Sequence, residues 1–123
     1  MNIHNNYGFS KIKISNDGKL IATADSNKNI IILNSGIYDV SIENFNYHTS
    51  KVFDLDFNLN NSNLISVSLD NSAIYWDINE KKKIRTYANV EHELVLSVSF
   101  YKDEKSFVCG GYSCSPRIIS FNN

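Results

Sequence analysis

His48, Ser66 and Asp70 are residue types that together could form a hydrolytic triad. In such a triad the serine attacks the substrate, the histidine takes up its proton and the aspartate orients the histidine. The same chemistry needs a sharp turn that exposes the serine and a glycine-rich loop for the oxyanion, and the sequence around Ser66 has neither. The chain also lacks a phosphate-binding glycine loop and an HExxH motif. We therefore predict that the protein is not an enzyme.

The cysteines give no sign of a metal site. Cys109 and Cys114 have neither the CxxC spacing nor the second ligand pair of a zinc site. We expect Cys109 to be a buried strand residue and Cys114 to lie in a loop, both as free thiols. The sequence predicts no metal and no cofactor.

The elements that must position these side chains recur every 43 residues. Three successive segments superimpose at this offset, and no insertion or deletion disturbs the register. The aligned sets are Ile12, Leu55 and Val98; Ile14, Phe57 and Phe100; Thr23, Ser66 and Cys109; and Leu33–Asn34, Trp76–Asp77 and Ile119–Ser120. Each segment therefore repeats one structural unit.

Short alternating or apolar runs, separated by turn residues, indicate that every unit is made of strands. We predict strands at 8–14, 20–25, 29–34 and 37–43 in the first unit, at 51–57, 64–69, 73–77 and 83–87 in the second, and at 94–100, 106–110 and 116–121 in the third. Four antiparallel strands in each unit of this length are typical of one blade of a β-propeller.

The segment 48–77 carries the most specific motif. It opens with a histidine, continues with apolar residues at offsets of four, seven and nine, and ends in a Trp-Asp pair; these residues are His48, Val52, Leu55, Phe57 and Trp76–Asp77. This pattern resembles the WD repeat. The resemblance implies an all-β fold, a WD40-type β-propeller segment of just under three four-stranded antiparallel blades. It also implies a non-catalytic scaffold that mediates protein–protein interactions within a larger complex.

The resemblance also implies roles for particular residues. In WD repeats a histidine, a serine or threonine, an aspartate and a tryptophan form a hydrogen-bonded chain across one blade, and the matching positions are His48, Ser66, Asp70 and Trp76. Such a chain offsets the cost of burying its polar groups. WD propellers bind partners mostly through the turns of one rim, which makes these residues candidate contacts: Ser26, Thr49, Lys51, Leu69 and Tyr112.

The repeat predicts one propeller segment over residues 1–123, with blade units of about 5–47, 48–90 and 91–123. A propeller hides its strand edges by closing four to eight blades around an axis, and fewer than three blades cannot close such a ring. We expect one of three arrangements: the chain is part of a longer propeller, copies of it associate, or a partner protein covers the open blade faces.

The charge and hydropathy of the chain indicate which classes of partner to expect. The net charge is −1 and the pI is about 6.3, without the basic excess that phosphate binding requires, so we expect other proteins rather than nucleic acid. The longest apolar run, 30–33, is far too short to span a bilayer, and the polar start lacks the apolar core of a signal peptide. We expect a cytoplasmic or nuclear protein without a membrane span.

An alternative function comes from a second resemblance. Residues 51–57, followed by Trp76 and then by 116–119, resemble the propeller of exchange factors that act on a small GTPase of the secretory pathway. The alternative function is therefore that of a guanine nucleotide exchange factor.

Overall fold

The computed structural model describes residues 8–34, 47–90, 94–112 and 115–122, together with the backbone of 43–45. Every regular element in this part of the chain is a β-strand. The strands are β1 Phe9–Ile14, β2 Leu20–Asp25, β3 Ile30–Asn34, β4 Glu43–Phe45, β5 Val52–Phe57, β6 Asn63–Ser68, β7 Ser72–Asp77, β8 Lys82–Ala88, β9 Val95–Phe100, β10 Ser106–Gly111 and β11 Arg117–Ser120.

The strands form three antiparallel sheets, which we call the first, second and third blades. Strands β1 to β4 form the first blade, β5 to β8 the second and β9 to β11 the third, each in sequence order. Ten of the eleven predicted strands are confirmed to within one residue at each end. The predicted strand 37–43 meets β4 only at its last residue, and its remainder lies outside the described residues. The all-β, open-propeller prediction is confirmed.

The hairpins between the first two strands of each blade show how closely the repeat is kept. Gly18, Asn61 and Glu104 occupy equivalent positions and all have positive φ, at 75°, 61° and 60°. Glycine and asparagine tolerate this left-handed conformation, whereas glutamate adopts it at a cost. The Glu104 carboxylate offsets that cost, because its Oε1 accepts the Leu59 N–H at 3.0 Å. The Asn61 side chain accepts the Asn16 N–H at 2.8 Å in the same way, so these turns join neighbouring blades.

Apolar cores fill the two spaces between neighbouring blades. The first core joins the first and second blades through Ala22, Ala24, Ile30 and Ile32 on one side and Val52, Leu55, Phe57, Leu64, Ile74 and Trp76 on the other. The second core joins the second and third blades through Ile65, Val67, Ala73, Tyr87 and Val90 on one side and Val95, Val98, Phe107 and Cys109 on the other. The second blade is therefore covered on both faces.

Carboxylates on β5 add polar links between the innermost strands. Between the first and second blades, Lys11 Nζ lies 3.6 Å from Asp54 Oδ1. On the other side, Asp54 accepts the Val98 N–H at 2.9 Å and Asp56 accepts the Phe100 N–H at 2.8 Å. One strand thus binds both of its neighbours through side chains, without a shared backbone ladder.

Candidate functional site

The structure brings the four residues of the predicted network into one hydrogen-bonded chain. The Trp76 Nε1–H donates to Ser66 Oγ at 2.9 Å, and Ser66 Oγ lies 2.8 Å from His48 Nε2. The other ring nitrogen, His48 Nδ1, lies 3.0 Å from Asp70 Oδ2. The indole N–H can only donate a hydrogen bond. A neutral imidazole then completes the chain: its Nε2 accepts a hydrogen bond from the Ser66 hydroxyl, and its Nδ1–H donates one to Asp70.

The side chains of this hydrogen-bonded chain are buried. Ser66 and Trp76 have no exposed surface, and His48 is almost fully buried. Ser66 Oγ is occupied by the indole and the imidazole, so in this conformation the hydroxyl is not placed to attack a substrate. An unpaired polar group at such depth costs about 1–3 kcal/mol, and the chain pairs all three side chains.

Asp70 connects the buried chain to the exposed rim. Its Oδ2 also accepts the Thr49 N–H at 3.0 Å, and its Oδ1 accepts the Ser72 N–H at 2.9 Å. Burial alone raises the pKa of Asp70, but the hydrogen bonds from His48, Ser72 and Thr49 outweigh burial and hold this pKa well below its ordinary value. Asp70 therefore stays ionised and ties the segment before β5 to the turn after β6.

Two contributors to this network were not predicted. The Ser72 hydroxyl reaches both Asp70 Oδ1 and His48 Nδ1, and Tyr47 packs its ring against Trp76 at a centroid distance of 5.8 Å. The Asp-x-Ser spacing at 70–72 is the signal that could have identified Ser72, because short polar side chains commonly bond the backbone two residues away.

Three of the predicted contact residues occupy one repeated turn. The N–H groups of Ser26, Leu69 and Tyr112 donate to the carbonyls of residues 8, 51 and 94, at 3.0, 2.8 and 3.1 Å. Because the turn is the same in each blade, the three side chains lie on the same rim. Ser26 is exposed, and Leu69 and Tyr112 keep 47% and 68% of their surfaces exposed.

The other two predicted contacts flank the same rim. Thr49 is exposed, and both its N–H and its hydroxyl bond Asp70. Lys51 is half-buried, with its ammonium 5.4 Å from the centre of the Phe53 ring and its carbonyl bonded to Leu69. The network therefore holds three of the candidates, Thr49, Lys51 and Leu69, close to one another.

Cysteines, metal ligands and membrane-spanning helices are the other features that bear on function. Cys109 is buried on β10, with its Sγ 4.0 Å from the Val90 carbonyl oxygen, whereas Cys114 lies outside the described residues. No cluster of three or more His, Cys, Asp or Glu side chains capable of holding a metal occurs in that part of the chain. The same part contains no helix long and apolar enough to cross a membrane.

Comparisons with known proteins agree with this geometry. The family model described as WD domain, G-beta repeat, matches residues 39–77. The 66 kDa stress protein of Physarum polycephalum is 29% identical over 112 residues, covering 91% of this chain. The chain spans only 18% of the length of that relative.

Similarity to a solved structure supports the same fold. The β-propeller domain of Cps50 (Swd1) from Myceliophteria thermophila matches with a TM-score of 0.86, over 98% of this chain and 38% of that chain. At 14% identity this likeness concerns the fold alone. The WD repeat matched at 39–77 coincides with the second blade, and the 43-residue period and the three propeller blades agree with a segment of a WD-type β-propeller.

Proposed function

We propose that this protein is a non-catalytic scaffold that binds other proteins through the rim formed by Ser26, Thr49, Lys51, Leu69 and Tyr112. The observation that carries the proposal is the exposure of Leu69 and Tyr112 at equivalent turns of adjacent blades. Tyrosine is enriched at the centres of protein interfaces, and exposed apolar surface commonly marks a site of association.

The rim is also held in place before any partner binds. Asp70 bonds Thr49 on one side of Leu69 and Ser72 on the other, and the Leu69 N–H bonds the Lys51 carbonyl. Ordering a mobile loop on binding costs free energy, so a turn that is already ordered gives a tighter complex for the same contacts. This favours a binding role for the second-blade turn in particular.

Photo-crosslinking in living cells tests the proposal. A photoreactive amino acid is placed at Leu69, at Tyr112 or, as the matched control, at Leu59, which is 69% exposed at the opposite rim. We expect the same protein to crosslink from positions 69 and 112 but not from position 59. The purified partner is then titrated against the Leu69→Asp and Leu59→Asp variants by calorimetry, and we expect only Leu69→Asp to weaken binding. Crosslinking from position 59 alone, or equal affinity of the two variants, would contradict the proposal.

The open face of the first blade supports a second kind of association. Ile12 is 59% exposed, whereas Leu55, its equivalent in the second blade, is fully buried against the first blade. Ile14 is likewise exposed where Phe57 is buried. We propose that this face packs against a further propeller blade, since apolar patches of this kind mark association sites.

Sedimentation of the full-length protein tests that second proposal. If the face is covered by another molecule, the Ile12→Lys and Ile14→Lys double variant shifts an assembly to monomer. If another blade of the same polypeptide covers it, the double variant unfolds more readily. A folded variant with unchanged mass and stability would contradict both forms of the proposal.

We further propose that the scaffold acts in the cytoplasm or nucleus, which imaging of the tagged full-length protein tests directly. The exchange-factor alternative stays a prediction, and release of labelled GDP from candidate GTPases in the presence of the protein is its test.

A further inference from the structure

The outer strand of the second blade carries a basic patch, formed by Lys82, Lys83 and Arg85. Four of the twelve lysines and arginines of the chain occur within residues 81–85, although the net charge of the whole chain is −1. All three side chains of the patch are exposed. Among the described side chains, no carboxylate forms a salt bridge with any of the three. The described residues therefore leave this positive charge without an acidic partner.

Exposed apolar surface lies beside the basic patch. Ile84, on the same strand, is 47% exposed, and Tyr47, which comes before the first strand of this blade, is 59% exposed. The Lys83 ammonium lies 5.0 Å from the centre of the Tyr47 ring, and the Arg85 guanidinium lies 4.6 Å from the centre of the Tyr87 ring. Since a cation is attracted to the face of an aromatic ring, these contacts hold the charges next to the apolar surface.

The register between β7 and β8 places the cations on both sides of the strand. Lys83 is paired with Trp76, which belongs to the core between the first and second blades. Arg85 is paired with Tyr75, which packs against the core between the second and third blades. Paired residues of antiparallel strands share one face of the sheet. The register shifts between these two pairs, so Ile84 lies at a bulge with a cation on each side.

The basic patch belongs to a blade that has all four of its strands. The first and third blades cover the two faces of the second blade, and β8 is its outermost strand. The patch is also distant from the rim. It begins at Lys82, which is paired with Asp77 at the end of β7, whereas the rim residue Leu69 lies just before the start of β7. The patch and the rim are therefore separate surfaces.

We propose that the basic patch, together with Ile84 and Tyr47, binds an acidic segment of a partner protein that also carries large apolar side chains. The carboxylates of this segment lie beside Lys82, Lys83 and Arg85, and its apolar side chains pack on Ile84 and Tyr47. Complementary charge steers the two surfaces together and selects the partner. A nucleic acid would neutralise the cations with its phosphates but leave Ile84 uncovered, so the apolar surface favours a protein.

Fluorescence polarisation with the full-length protein tests the proposal. The probe is a labelled eight-residue peptide in which glutamates surround one leucine and one phenylalanine. One matched peptide replaces every glutamate with glutamine, and the other replaces the leucine and the phenylalanine with serine. We expect the probe to bind and each matched peptide to bind about tenfold more weakly, because one loses the charges and the other the apolar contacts. Equal binding of the three peptides, no binding of the probe, or tighter binding of a single-stranded RNA of the same length overturns the proposal.

Variants of exposed residues show whether the probe binds at this surface. The Lys82→Glu and Lys83→Glu double variant should weaken the probe about tenfold or more. The Lys102→Glu and Lys105→Glu double variant makes the same change of charge at the exposed turn between β9 and β10, and this matched control should keep the original affinity. Ile84→Ser should weaken the probe about threefold or more but leave the serine-substituted peptide unaffected.

The proposal fails if the two double variants bind the probe equally well, or if Ile84→Ser keeps full affinity for it. Leu69→Asp, at the rim, should not change binding of the probe. The rim and the basic patch are therefore tested separately, and failure of one proposal leaves the other in place.

Discussion

The same rim turn is held by a carboxylate at a different position in the first blade and in the second. In the first blade, Asp25 accepts the N–H groups of Asn27 and Asn29 at 2.8 and 2.9 Å, so its carboxylate holds its own turn. In the second blade, Asp70 bonds Ser72 within the turn but also His48, which lies before β5. The two turns therefore take their carboxylates from different positions, and Asp70 links its turn to the segment before β5.

The backbone conformation of the turn is the same in the two blades. Lys28 and Asn71 occupy equivalent positions with φ of 64° and 62°, and the N–H groups of Ser26 and Leu69 make equivalent bonds to the strand before them. A tight turn needs its donors satisfied, and either carboxylate does this. The comparison teaches that a carboxylate at either position can close this turn, whereas Asp70 in addition links Thr49 to Ser72.

Removing the Asp70 carboxylate should have the largest effect on this comparison. We expect Asp70→Ala to lower the free energy of unfolding by about 3 kcal/mol, because it leaves the buried His48 without its charged partner. Asn27→Ala, at the equivalent position of the first blade, should cost less than about 0.5 kcal/mol, since Asn27 gives the turn its backbone N–H rather than a carboxylate. Urea denaturation of both variants measures the difference, and equal losses would contradict it.

The serine in the middle of the network should have the next largest effect. Ser66→Ala removes the hydroxyl that bonds both Trp76 Nε1 and His48 Nε2 in the core, at a cost of about 2 kcal/mol. Thr23→Ala removes only a 3.5 Å bond to the Ile31 carbonyl, so we expect a loss of about 1 kcal/mol or less. Thermal unfolding of the two variants compares them, and the account fails if Thr23→Ala is the more damaging change.

Acid should weaken the second-blade network selectively. The pKa of Asp70 lies below its ordinary value, so the folded state takes up this proton less readily than the unfolded state. The resulting stability is fully present above about pH 4 and is lost as the pH falls below that value. The urea concentration at the midpoint of unfolding should therefore fall between about pH 6 and about pH 3 in the unaltered protein. This fall should be smaller in Asp70→Asn. An equal difference in the two proteins would contradict this expectation.

The smallest predicted effect concerns the left-handed turn residues. Lysine is strained at positive φ, so Lys28→Gly should raise the free energy of unfolding by about 0.5 kcal/mol. Asn71→Gly should change it by less than about 0.5 kcal/mol, because asparagine tolerates this conformation. Chemical denaturation checks both variants, and stabilisation by Asn71→Gly equal to that of Lys28→Gly would remove the distinction.

The strands could be predicted because their signal is local and occurs three times. Alternating side chains, turn residues and a constant 43-residue offset all depend on neighbouring positions. The meeting of His48 with Asp70 could be expected only through the family motif, since nothing local specifies contact between them.

Other contacts were missed because they depend on tertiary geometry. In the ion pairs Lys11–Asp54 and Lys13–Asp56, the two partners have opposite charge and are separated by one period of 43 residues. This spacing is visible in the sequence. It predicts contact only if the inner strands of adjacent blades are known to lie side by side. The bonds that hold the first-blade turn come from Asp25, two residues before the aligned position Asn27. Alignment of the repeats does not identify this replacement, because Asp25 and Asp70 are not at equivalent positions.

Amide hydrogen exchange in the Asp70→Ala protein, followed by NMR, tests the central claim most directly. If Asp70 ties the two segments of the second-blade rim together, the amides of Thr49 and Ser72 lose their protection, while those of Asn27 and Asn29 in the first blade keep theirs. Unchanged protection at Thr49 and Ser72, or an equal loss at all four amides, would show that the rim of the second blade does not depend on this network.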